Sequence, residues 1–262
     1  MSAKKVVDIH THIIGPGNSG KGCRMSKEFI FSRTFASMLM ALKAYPFDVT
    51  DERLREILLK VIASSEKIDY AVLLAIDGVY KNNKYVESES HIVISNDYVM
   101  DIAKTDKRVL FGASVHPYRE AREMLAETMR CINAGAVLFN WMPSWQQIDP
   151  EDDRCVPFYF CLAKERVPLL CHTGAEFIAK AEGLKVNRYV CPAKLKRALD
   201  IGVRVIVAHC SVPHGDSNPD ADKKYFVELM EMLRESDSSG WGLYADLSAF
   251  CTPERRSYLE VI

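Results

Sequence analysis

Seven short apolar runs, spaced by amphipathic stretches, constrain this 262-residue chain more than any other feature. The runs are Val6–Ile9, Tyr70–Ile76, Val109–Val115, Ala136–Met142, Val167–Cys171, Val203–Ala208 and Leu243–Ser248. They are dense in Val, Ile, Leu and Ala and mostly lack polar alternation, as strands covered on both faces of a parallel sheet do. Between them lie segments of helical period: Asp51–Ser65, Asn96–Lys104, Tyr118–Ala134, Val156–Glu165, Pro192–Ile201 and Asp222–Arg234. Thr50-Asp51 and Ser95-Asn96 supply N-cap chemistry, and Gly135 and Gly202 stand where helices commonly end.

Repeated strand–helix units mean parallel α/β, either a closed barrel or an open doubly wound sheet. Gly15, Gly17, Gly20 and Gly22 follow the first run but do not form a GxGxxG that opens a helix, so a dinucleotide fold is disfavoured. Long segments follow strand ends at Ile13–Ser26, Asp77–Ser90, Pro143–Pro150 and Ser211–Asp220. Such elaboration of one end suits a (β/α)8 TIM barrel whose working face is built from βα loops. We therefore expect a single α/β barrel domain over 1–262. The census stops at seven strands, Phe29–Met40 reads as helical, and Pro253–Ile262 is helix-like, so the eighth strand is expected beyond Ile262.

Four of the seven histidines close these runs: His10, His12, His172 and His209. Two residues apart on a strand, His10 and His12 project to one face. Imidazoles bind zinc, iron, nickel and cobalt, whereas magnesium and calcium prefer oxygen. A catalytic zinc site uses about three protein ligands and keeps one position open. His10, His12 and His172 are the candidate ligands of one divalent ion, Zn2+ first and Mn2+ or Fe2+ as alternatives. Such an ion lowers the pKa of bound water toward about 7 and polarises a carbonyl. His209, on the next strand, is suited to ligate a second metal, to bind substrate or to act as acid/base. Asp246 is an acid/base or supporting group on the seventh run, or a buried carboxylate held by backbone donors. Asn140, Trp141 and His116 are candidates for substrate contact, with Trp145 beside them as a further pocket wall. His91 and His214 default to solvated loop residues, and Cys171 and Cys210, next to histidines, should face the helices by strand alternation.

The net charge of −1 offers nothing to nucleic acid or an anionic membrane, and no apolar stretch approaches membrane-spanning length. No signal-peptide core follows Lys4-Lys5, and the eight cysteines include no CxxC pair. They read as reduced thiols of a cytoplasmic protein. The expected partner is a small-molecule substrate, with a homo-oligomer left open.

The motifs also resemble a known family. Asp8-Ile9-His10-Thr11-His12 looks like the first-strand motif of the amidohydrolase superfamily. Phe111–Pro117, Val167–Gly174, Val205–Cys210 and Leu243–Ala249 resemble its amidohydrolase-related branch, which includes aminocarboxymuconate-semialdehyde decarboxylase. The resemblance implies a (β/α)8 barrel with its metal at the C-terminal face, His10, His12 and His172 as ligands, and His209 meeting substrate or bound water. It implies hydrolysis of amide-like, ester-like or cyclic bonds, with non-oxidative decarboxylation of a small acid as the alternative. Members with bridged metal pairs carry a lysine or glutamate on strand four; Asn140 stands here, so one metal is expected. The family's aspartate ending strand eight has no counterpart after Ala249, and Asp246 is not its equivalent. A catalytically impaired or scaffold member is therefore a further alternative. Lys21, Arg24 and Lys27 are candidates to meet a substrate acid.

Overall fold

The computed structural model describes residues 4–44, 49–174, 189–212 and 219–260. Seven strands form one sheet in chain order: β1 (Val7–His12), β2 (Tyr70–Leu74), β3 (Val109–Ala113), β4 (Leu138–Trp141), β5 (Leu169–His172), β6 (Val205–Ala208) and β7 (Leu243–Ala245). Every neighbouring pair is parallel. The crossovers contain α1 (Asp51–Ser64), α2 (Asn96–Thr105), α3 (Ala121–Asn133), α4 (Val156–Glu165), α5 (Lys196–Asp200) and α6 (Pro219–Ser239).

The local signals act as read. Thr50 Oγ1 accepts the Arg53 N–H and Ser95 Oγ accepts the Tyr98 N–H, each at 3.1 Å. Gly135 and Gly202 take positive φ, 92° and 95°, just after α3 and α5. The Phe29–Met40 region holds two helices, Lys27–Ile30 and Arg33–Ala41, and Pro253–Arg256 is also helical. Among the described residues no helix is long and apolar enough to cross a membrane. All eight cysteines are free thiols; Cys171 and Cys210 are buried in the sheet–helix core, while Cys161 is only half-buried. The segment 213–218, within one expected loop, lies outside the described residues.

Laid flat, six strand spacings would separate β1 from β7 by about 29 Å. Instead His10 Nδ1 on β1 lies 2.8 Å from Asp246 Oδ2, one residue past β7. The sheet therefore curls into a barrel whose edges meet through side chains at the C-terminal end. Elsewhere the barrel is partly open: Val6 and Tyr244 beside these edges are 51% and 56% exposed. Val72, Leu74, Leu138, Leu170 and Ala208, with Ile9, Leu110 and Ile206 against them, fill its interior. A larger apolar layer joins the outer face to the helices. Interior and outer residues alternate along the strands, as the pleat requires.

Strand β1 breaks that alternation. Asp8 pairs with Ala71 but Thr11 pairs with Leu73, so three residues advance against two. This bulge explains how Ile9 packs inside the barrel while His12, three positions on, lies opposite the interior-facing Leu74. Sequence periodicity did not reveal it, nor the antiparallel pairing of Cys23–Met25 with Ile92–Ile94, which ties together the excursions after β1 and β2. Three-residue strands are too short to display a period.

Candidate metal centre

The four histidines reach the barrel mouth by three local routes. His10 lies within the bulged β1 and His12 ends it, and His172 ends β5, two residues beyond the interior Leu170. His209 needs a device of its own. Ala208 faces the interior, so a continuing strand would turn residue 209 toward the helices. Instead His209, Cys210 and Ser211 all adopt left-handed φ, at 53°, 50° and 55°. For non-glycine residues this costs roughly 1–2 kcal/mol each. The turn swings the His209 ring back to 4.8 Å from His10 and 5.2 Å from His172, centroid to centroid. The His10 ring is 5.0 Å from His12 and 4.8 Å from His172, and His12 is 5.3 Å from His172.

Asp246 organises the group. Its Oδ2 meets His10 Nδ1 at 2.8 Å, and its Oδ1 accepts the His209 backbone N–H at 3.0 Å. Ser248 gives Oδ1 both its backbone N–H, at 3.0 Å, and its hydroxyl. Burial pushes the Asp246 carboxyl up, but the hydrogen bonds it accepts, from His10 first and then from Ser248 and the His209 N–H, outweigh it and hold the group well below the ordinary carboxylate value. A carboxylate accepts, so His10 Nδ1 carries the proton and His10 Nε2 presents its lone pair. His209 Nδ1 faces two oxygens of Ser248, the carbonyl at 3.1 Å and Oγ at 2.7 Å. Its Nδ1–H donates to the carbonyl, which again leaves Nε2 as the lone-pair atom.

That donor set fits a cation. His10, His172 and His209 offer ligand nitrogens all within 4.8 Å of one another. His10 Nε2 and His12 Nε2 lie 3.0 Å apart. Two nitrogens each about 2.1 Å from one zinc ion stand roughly 2.9–3.4 Å apart for angles near 90–109°. Among the described residues this ligand cluster is made of imidazoles alone.

The other expected site residues separate. Asn140 faces inward beside the interior Leu138; its Nδ2 donates to the Ala75 carbonyl at 3.0 Å, and its buried Oδ1 has no hydrogen-bond partner. Trp141 differs from expectation. It lies on the helix-facing side, fully buried, with its ring stacked 4.8 Å from Phe158 of α4 and its Nε1–H donating to Val115 O. The pleat that turns Asn140 inward necessarily turns Trp141 outward. His116 differs too. It is fully buried; Nε2 binds the Gln146 carbonyl at 2.7 Å and Nδ1 accepts the Tyr118 N–H at 3.0 Å, which leaves neither ring nitrogen for substrate. Burial lowers its pKa to about 4, so the ring is neutral. Trp145 is buried and packs edge-on against Phe29. Arg24 is committed to Glu87 and to the Ser90 carbonyl, whereas Lys21 and Lys27 are exposed.

Three contributors escaped the sequence reading. Ser248 stood in the sequence only as the last residue of the seventh run. Thr173 bonds Ser211 through their hydroxyls at 2.5 Å, across two strand ends. Asp51, buried at the start of α1, accepts the Gly17 and Ser19 backbone N–H groups and so pins the loop after β1. A side chain at Gly15 would place its Cβ 2.6 Å from the Asp51 carboxylate, which explains that glycine.

Comparison with known proteins agrees with this geometry. The sequence profile of a family described as amidohydrolase matches residues 7–257. No protein of curated function matches the chain. An uncharacterized TIM-barrel protein from Bordetella bronchiseptica superposes with TM-score 0.60 and 15% identity, over 98% of this chain and 81% of its own. A 4-oxalomesaconate hydratase from Rhodopseudomonas palustris gives TM-score 0.54 and 15% identity, over 98% of this chain and 78% of its own. A 5-carboxyvanillate decarboxylase from Sphingomonas paucimobilis gives TM-score 0.54 and 12% identity, over 98% and 85%. At such identities the likeness is one of fold.

Proposed function

This chain belongs to the amidohydrolase family, and from that premise we propose that its four-histidine centre holds one divalent metal ion and hydrolyses an amide-like, ester-like or cyclic bond in a small carboxylated substrate. The convergence of His10, His12, His172 and His209 at the C-terminal mouth of the barrel carries this reading. His10, His12 and His172 hold the ion, and His209 completes the ring of nitrogens facing it. Imidazole donors favour zinc, with manganese or iron as alternatives. A divalent ion in such a site supplies Lewis acidity, which polarises a substrate oxygen and brings the pKa of water toward about 7. The chain's own residues do the rest. Asp246 and Ser248 keep protons on the Nδ1 atoms of His10 and His209 and aim their Nε2 atoms inward. Asn140, which cannot be carboxylated to bridge two ions, supports a single-metal centre, and its Oδ1 offers a substrate O–H or N–H an acceptor.

One observation favours a second reading, decarboxylation. Both oxygens of Asp246 are engaged, Oδ2 by His10 and Oδ1 by the His209 N–H and Ser248, so this carboxylate is occupied in orienting the histidines rather than set apart as a base for water. Loss of carbon dioxide consumes no water, and a 5-carboxyvanillate decarboxylase is among the structural relatives. Metal analysis of the purified chain, then reaction of a panel of lactones and aromatic acids in 18O water, tests both readings. One equivalent of metal with 18O in the product supports hydrolysis. Metal with unlabelled product and released carbon dioxide supports decarboxylation. Absence of bound metal after loading with zinc or manganese overturns both.

A further inference from the structure

The left-handed turn after β6 places His209, and something must hold it. Three successive non-glycine residues at positive φ persist only where their surroundings over-determine them. Part of the hold is local: the Val212 N–H closes the turn on the His209 carbonyl at 2.9 Å. Part comes from β7, where Asp246 takes the His209 N–H and its carbonyl takes the Cys210 thiol at 3.3 Å. The last part comes from β5. Ser211 Oγ and Thr173 Oγ1 lie 2.5 Å apart, both residues essentially fully buried. Thr173 directly follows His172, and Ser211 lies two residues past His209. The next residue, Gly174, comes so close that a Cβ there would sit 2.5 Å from the Ser211 carbonyl oxygen.

We propose that the Thr173–Ser211 hydroxyl pair is a positioning device: it locks the strained turn against the end of β5 and thereby sets His209 opposite His172. The two hydroxyls are bonded to each other. Their effect is exerted through the backbone that carries the two rings. The metal-affinity arm of the test rests on the metal-binding reading, whereas the ring-signal arm does not.

The discriminating comparison is Ser211→Ala against Ser211→Gly. Alanine removes the hydroxyl and keeps the side-chain penalty for positive φ; glycine removes more atoms but takes that φ without strain. If Ser211 merely filled space, glycine would do more damage. If it restrains a strained turn, alanine does. Metal-free protein with 15N-labelled histidine rings is compared for the parent, both variants and Thr173→Val, which removes the same bond from the other side. His209 is assigned with His209→Gln, and His91 serves as internal control. Ser211→Ala and Thr173→Val should move the His209 ring signals and leave His91 in place, with a smaller movement for Ser211→Gly. In zinc titrations the alanine variant should bind about tenfold more weakly than the parent, the lower end of the range for groups that orient ligands, with glycine in between. Unmoved His209 signals in both Ser211→Ala and Thr173→Val, or greater disruption by glycine than by alanine, would overturn the proposal. A parent that binds no zinc would defeat the metal reading and leave the ring-signal arm decisive.

Discussion

Asp246 shows how one side chain can organise several others. It touches the His10 ring, the His209 backbone and Ser248. Replacing it with asparagine keeps the shape but removes the charge that fixes the His10 proton on Nδ1. Asp246→Asn should weaken metal binding about 10–100-fold, measured by calorimetry, while circular dichroism stays close to the parent. Unchanged affinity would mean that His10 is held by something else. Trp141 makes the opposite case. Buried between β4 and α4, it should cost about 3–5 kcal/mol of stability when cut to alanine, read from the denaturant midpoint. Trp141→Phe should keep metal binding, because the ring lies behind the sheet rather than in the mouth. Residue types were readable in the sequence at both positions; the facing of Trp141 followed from the pleat once β4 was placed, and that of Asp246 once β7 was.

At the scale of elements, the strand–helix alternation was legible because each element is long enough to display its period. The caps at Thr50 and Ser95 were legible for a different reason: their chemistry is local, a hydroxyl accepting the N–H three residues on. The β1 bulge and the left-handed turn after β6 were not legible, since both depend on partners more than 30 residues away. The loop after β1 is a similar case. Asp51 accepts two backbone N–H groups from it. Asp51→Ala leaves them without this acceptor, so limited proteolysis should cut between Gly15 and Gly22 faster than in the parent. An unchanged cleavage pattern would show that the pairing of Cys23–Met25 with Ile92–Ile94 suffices to hold the loop.

For the whole molecule, buried His116 links stability to pH. Its pKa falls from the ordinary 6.5 to about 4 on folding, chiefly through burial. The unfolded chain therefore binds the extra proton more readily between those values. Its contribution is complete above pH 6.5, declines as the pH falls, and is gone below about pH 4. The change amounts to about 3 kcal/mol, at 1.36 kcal/mol per pKa unit. Urea midpoints of metal-free protein at pH 7, 5 and 4 should fall more steeply for the parent than for His116→Gln, which does not titrate. Parallel curves would mean that water reaches the ring.

The amino-acid sequence by itself determined the parallel α/β architecture, the capping of its helices and which imidazoles end which strands, because these rest on periodicity and on contacts a few residues long. Only the tertiary structure decided that the sheet curls until β1 and β7 meet through His10 and Asp246. It alone decided that a bulge and a left-handed turn rotate two strand ends, that Trp141 and His116 serve packing, and that hydroxyls from two strands hold His209 in place. Each of these is a contact between distant parts of the chain, whose geometry exists only after the strands have chosen their neighbours.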